Sequence, residues 1–203
     1  LDRRSVQSSL EIAIRMAIET GHIDENRLGI SGFSDGVSTA QWALINSDLF
    51  KVASLSSFGE DKYSFFVEAG PSFTDRMRAV GYRVLDGDDH EFWRPISLIE
   101  NVDRIDAPIL VQAPDTEYEG GLDVFEVYSH KEKAIEMYVF EDESHVKWQP
   151  SHREAMYQRS VEWFEFWLAD RRNCSEERAE QYSRWLKMPG APLNDDLRCY
   201  RSP

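Results

Sequence analysis

Residues 27–45 read RLGISGFSDGVSTAQWALI, and this stretch constrains the chain more than any other. Arg27 to Ser31 is short and apolar enough for a buried strand, and Val37 to Ile45 has the make-up of a helix. Between them stands Gly-Phe-Ser-Asp-Gly. A strand that turns into a helix this tightly requires small residues, because side chains two positions either side of the apex would collide. The apex residue, Ser34, is then held clear of the sheet with its hydroxyl exposed. Strand, Gly-x-Ser-x-Gly and helix in that order are the setting of a nucleophile elbow. The helix directs its N-terminus at the serine, where its dipole favours negative charge, and the backbone N–H of Asp35 is the expected oxyanion donor.

The remaining chain supplies more elements of the same kind. Val6, Leu10, Ile14, Ala17 and Ile18 recur at helical spacing over residues 4–20, and GHIDENR ends that helix. KVASLSS (51–57), PILVQA (108–113) and IEMYVF (135–140) read as three further strands. Phe125 to Ala134 reads as a helix, and a long helix runs from Ser151 to about Arg172. Strands alternating with helices predict a parallel sheet covered on both faces. Residues 58–95, rich in aromatics and acids, interrupt the alternation, and residues 173–203 form a polar tail with one helix, EERAEQYSRWL, expected to wrap the surface.

A serine hydroxyl needs a base to take its proton, and the base needs a carboxylate to orient it. In folds with this elbow the chain order is serine, acid, histidine, with the last two on loops after later strands. Of five histidines, His22 precedes the elbow, His90 lies in the insertion, His130 falls in a helix-like segment and His152 opens the last long helix. His145, five residues past IEMYVF, occupies the base position. The loop after PILVQA reads PDTEYEGGLD and offers Asp115, Glu117, Glu119 and Asp123. Asp115 is the shorter and more usual acid but stands close to the strand end. Glu117 lies four residues beyond the strand and has an extra methylene of reach, which favours it, with Asp115 as the alternative. The acidic run 141–143 before His145 reads as a solvated loop.

Three stretches resemble the catalytic domain of the prolyl oligopeptidase family of serine peptidases: RLGISGFSDGVSTAQWAL, RPISLIENVDRIDAPILVQAP and FEDESHVKWQPSHREAMYQRSVEWFEFWL. The resemblance covers about residues 4–172 and implies an α/β-hydrolase fold, with residues 1–172 the C-terminal part of the catalytic domain, 58–95 an insertion near the active site and 173–203 a tail. Asp35 after the serine, and APDTEYEGG in place of the usual acid loop, make the chain similar to the lasso-peptide isopeptidases within that family. That branch implies Glu117 as triad acid, a lasso peptide as substrate, its isopeptide bond as the bond cleaved, and no metal or organic cofactor. The family also implies an N-terminal β-propeller and earlier sheet strands. The chain, which starts at Leu1 and not at Met, is therefore expected to be one piece of a longer protein, with the second oxyanion donor on the other piece.

Two other activities fit the same residues: a general oligopeptidase or acyl-peptide hydrolase, and a hydrolase fold that binds peptides without turning them over. Phe33, Phe65, Phe66 and Trp93 are candidates for a substrate-facing wall, while the aromatics of 58–95 fit equally well as packing against the absent domain. Tyr157, Val161, Phe164 and Leu168, with Trp163 and Trp167 nearby, read as core. A net charge of -14 excludes a broad basic surface for nucleic acid, and no apolar run reaches the length of a membrane span. Cys174 and Cys199, the two cysteines, pair if the compartment oxidises them. Bacterial cytoplasm and periplasm both suit such a chain, and assembly into a homo-oligomer is left open.

Overall fold

A computed structural model describes residues 3–62, 64–83 and 89–200. Helix α1 (Arg3–Glu19) precedes strand β1 (Gly29–Phe33), helix α2 (Asp35–Asn46) and strand β2 (Val52–Ser56). The insertion follows with helices α3 (Ser64–Ala79) and α4 (His90–Trp93). Then come β3 (Ile109–Pro114), α5 (Leu122–His130), β4 (Ile135–Phe140) and α6 (Pro150–Ala169). The tail holds β5 (Arg171–Asn173), α7 (Ala179–Trp185) and β6 (Arg198–Tyr200). Among the described residues no helix is long and apolar enough to cross a membrane.

The four principal strands form one parallel sheet in the order β1-β2-β3-β4, with Gly29 opposite Val52, Ala53 opposite Ile109 and Ile109 opposite Ile135. Every step between parallel neighbours needs a crossover, and α2, the insertion and α5 provide them. Side chains alternate between the two faces of a strand. Ala53, Leu55, Ile109 and Val111 accordingly join Val37, Ala40, Leu44, Val124 and Tyr128 in one core. Their neighbours Val52 and Leu110 join Trp163 and Phe166 of α6 in a second core on the opposite face. Between sheet and α6 runs a buried polar seam. Gln112 donates to Met156 O at 3.1 Å and to Ser160 Oγ at 2.9 Å, and Ser54 and Ser160 share a hydrogen bond of 2.9 Å.

The tail does more than wrap a surface, contrary to the sequence expectation. Tyr182, Trp185 and Leu197 complete the second core, and Trp185 packs edge-on against Trp163 with centroids 4.9 Å apart. Helix α6 ends at Ala169, before Arg172, because Asp170 takes up a left-handed conformation (φ 50, ψ 47) that turns the chain into β5. Strands β5 and β6 pair in parallel, and a Cys174–Cys199 disulfide lies beside them.

The insertion forms a satellite of its own. Its helix α3 bends at Gly70 (φ 75), followed by Pro71. Phe66 and Trp93 are its interior, with Phe73, Met77, Tyr82 and Phe92 around them. Gln41 of α2, fully buried, fastens the insertion to the sheet layer by donating to the carbonyl oxygens of Glu60 and Ile96.

Candidate active site

The elbow is built by steric exclusion. Strand β1 runs two residues further than its apolar pattern reads, through Phe33, and Ser34 is the N-cap of α2 with φ 54 and ψ -124. A Cβ at Gly32 would stand 2.2 Å from the carbonyl oxygen of Gly36 and 2.7 Å from Val37 N, so only glycine fits there. At Gly36 a Cβ would meet nothing within 4 Å. Collision therefore demands glycine at position 32 but, contrary to the sequence expectation, not at position 36. Val37 N–H donates to Ser34 O at 2.8 Å and closes the turn. As the first residue of α2, Asp35 has no intrahelical acceptor for its own N–H.

His145 and Glu117 meet from different loops. The His145 Nδ1 lies 2.8 Å from Glu117 Oε1 and 3.0 Å from Oε2. A third group joins them: Ser57 Oγ donates to Glu117 Oε2 at 3.0 Å. Asp115 occupies a different place. Its carboxylate accepts the amides of Asp142 at 2.9 Å and Glu143 at 3.3 Å, tying the acid loop to the histidine loop. Glu143, expected in a solvated run, has a fully buried side chain that accepts Trp148 N–H, Gln149 N–H and a contact from His152 Nδ1 at 2.9–3.0 Å. Burial opposes its charge, but these donors hold its carboxyl below the usual range. Behind the pair, Lys147 is buried and donates to Gln112 O at 3.3 Å. Burial pulls its ammonium below the ordinary value despite the charges of Glu117 and Glu143.

Ser34, Asp35, Ser57, Glu117 and His145 line one cleft of about 530 Å³, walled by Phe58, Phe73 and Met77. Of the candidate wall residues, Phe66 and Trp93 lie in the insertion's interior, at 3% and 0% exposure, where packing on each other removes them from the cleft. The side chain of Phe65 lies outside the described residues. Phe33 stacks on the His145 ring, centroids 5.0 Å apart and planes 30° from parallel. It borders a second depression with Val146, Lys147 and Tyr157; Tyr157 and Val161, expected in the core, are exposed on α6. Among the described residues no group of three or more His, Cys, Asp or Glu side chains is arranged to hold a metal ion.

An ion network borders the elbow. Arg3 of α1 grips both oxygens of Asp35 at 2.7 and 3.1 Å and reaches Thr39 Oγ1 at 2.9 Å and Glu60 Oε1 at 2.9 Å. Tyr82 OH donates to the other oxygen of Glu60 at 2.8 Å. Arg3 holds the Asp35 carboxyl below its ordinary value. Sequence reasoning did not find Arg3, Glu60, Ser57 or Lys147. For Ser57 a signal existed: it directly follows a strand end, and ligands gather at the carboxyl ends of parallel strands. Nothing local marks Arg3, which lies 31 positions before the serine it flanks.

The sequence model of the prolyl oligopeptidase family matches residues 8–171. A curated relative, the lasso peptide isopeptidase AtxE2 of Asticcacaulis excentricus, is 38% identical over 184 residues, which cover 91% of this chain and 26% of that protein. The apo structure of AtxE2 isopeptidase aligns with a TM-score of 0.86 at 38% identity, over 90% of this chain and 28% of that one. Its serine-to-alanine variant with Astexin3-dC4 bound aligns at 0.84 and 37% identity, over 91% of this chain and 28% of that one. An acylaminoacyl peptidase of Pyrococcus horikoshii shares the fold at a TM-score of 0.65 and 23% identity, over 82% of this chain and 28% of that one. The chain thus spans about a quarter of the length of the curated relative it matches. Its parallel sheet, with helices on both faces, is an α/β-hydrolase architecture.

Proposed function

The chain belongs to the prolyl oligopeptidase family, and from that premise we propose that it carries the catalytic groups of a serine peptidase that hydrolyses the isopeptide bond of a lasso peptide. The observation that carries this reading is the contact of His145 Nδ1 with both oxygens of Glu117 at 2.8 and 3.0 Å, in a cleft shared with Ser34. In this reading Glu117 holds the proton of His145 on Nδ1, which leaves Nε2 free to act as base. Nε2 takes the Ser34 proton while Oγ attacks the side-chain carbonyl of the Asp or Glu that closes the lasso ring. The oxyanion is stabilised by the Asp35 N–H and the N-terminal end of α2. As the C–N bond breaks, His145 returns the proton to the departing N-terminal amine and an ester to Ser34 remains. Water, deprotonated by His145, attacks that ester. The products are the linear peptide, with a free amine and a free side-chain carboxyl, and Ser34 restored.

The choice of substrate rests on the relative named as a lasso peptide isopeptidase and on its variant with Astexin3-dC4 bound. An upstream segment of the same protein, a β-propeller by family resemblance, would cover the cleft and supply a second oxyanion donor. The test uses the full-length protein with a threaded lasso peptide and its linear counterpart, read by mass spectrometry. Gain of one water by the lasso form, lost in Ser34→Ala, is expected. Cleavage of the linear form with the lasso form intact sinks the isopeptidase reading, and turnover surviving in Ser34→Ala sinks the nucleophile.

A further inference from the structure

Ser57 is strained and buried, and it touches the carboxylate on which the proposed relay depends. It follows the last residue of β2 with φ 104, a conformation natural to glycine and costly for any residue with a Cβ, and it is 4% exposed. Its N–H is held by Gln112 O at 3.0 Å, which anchors it to the next strand. Its hydroxyl, held in that orientation, donates to Glu117 Oε2 at 3.0 Å. Glycine would relax this backbone, so the one chemical group that serine adds at low cost to the packing is the hydroxyl.

The acid it meets needs such a contact. A glutamate side chain has one more rotatable bond than aspartate. Its backbone sits in a turn, with Glu117 N–H on Pro114 O at 3.1 Å and Gly120 N–H on Glu117 O at 3.2 Å. Both carboxylate oxygens face His145 Nδ1, and that bond alone leaves the carboxylate free to swing with the ring. Ser57, fixed to β3 through Gln112, ties the carboxylate to the sheet. We propose that Ser57 is a positioning residue, whose strained backbone aims its hydroxyl at Glu117 and so fixes the acid that orients His145. This rests on the Ser34–His145–Glu117 reading above.

The test measures fluorophosphonate labelling and Tm in the full-length protein. Ser57→Gly should label about 10- to 100-fold more slowly, with the loss in the maximal rate and the half-saturating probe concentration within twofold, while Tm stays level or rises. Ser57→Ala should lose the same rate without the gain in Tm. In a Glu117→Ala background, Ser57→Gly should cost nothing further, because the group it positions is gone. Parent-like labelling of both Ser57 variants overturns the proposal. So does a fall in Tm that parallels the fall in rate in both, or a loss that multiplies with Glu117→Ala. Labelling that persists in Ser34→Ala overturns the triad reading itself and is told apart by that single variant.

Discussion

Ser34 spends stability on its position, since a residue with a Cβ at φ 54 and ψ -124 costs about 1–3 kcal/mol. Ser34→Gly is therefore expected to abolish fluorophosphonate labelling and to raise Tm, by about 2–4 °C for each kcal/mol relieved in a chain of this size; scanning calorimetry reads both states. A second residue is expensive in another way. Burial pushes the carboxyl of Asp61 up to about 7, against the stabilising hydroxyl of Ser97, with Asp123 and Glu100 adding to the rise. Among the described residues, one of its oxygens, Oδ2, has no hydrogen-bond partner. A carboxyl that is harder to ionise when folded binds its proton more tightly in the folded state. Its contribution to stability is then full in acid and is lost as pH rises towards 7. Asp61→Asn keeps a neutral side chain at every pH. Its Tm should exceed the parent's at pH 8, with the difference shrinking towards pH 4.

At the scale of elements, the β1–α2 elbow and the loop carrying His145 are held by different means. The elbow is closed by backbone proximity, so Gly32→Ala must force strand and helix apart. That change should cost roughly 3 kcal/mol or more and remove labelling. Gly36→Ala meets open space inside a helix and should stabilise by up to about 1 kcal/mol by the helix preference of alanine; urea titration separates the two. The loop of residues 141–149 is held by two carboxylates, Asp115 on the amides of Asp142 and Glu143, and Glu143 on those of Trp148 and Gln149. An elbow of this kind can be read in sequence because its glycine pattern is local. A loop stapled by carboxylates cannot, because a run of acids before a histidine looks the same whether solvated or buried.

Across the whole molecule, the second core depends on the tail. Trp185→Ala should cost about 3–5 kcal/mol through the cavity left against Trp163 and Phe166. Loss of the Cys174–Cys199 link, 25 residues apart, should cost about 3 kcal/mol by loop entropy. In both cases Tm should fall while the labelling rate of the folded protein at 25 °C stays at the parent value, since neither lies in the cleft. Strands β2, β3 and β4 were legible from their apolar runs within a residue or so. So were α1 and the turn at Ser34, with α2 starting at Asp35, two residues before the expected Val37, because burial on both faces of a parallel sheet and a 3.6-residue helical period are written along contiguous residues. Helix α5 was legible as a helix but not in its bounds: Leu122 and Asp123 begin it inside what looked like loop, and it stops at His130. By itself the sequence determined the alternation of strand and helix and the small residue at position 32, since these answer to neighbours a few positions away. Only the tertiary structure decided that Glu117 meets His145 while Asp115 staples a loop. It also brought Ser57 to the cleft and Arg3 to Asp35 beside the elbow, and made Trp185 interior. Each of those outcomes depends on a partner 22 to 60 residues distant, and chain segments that far apart are matched by packing and charge, not by local pattern.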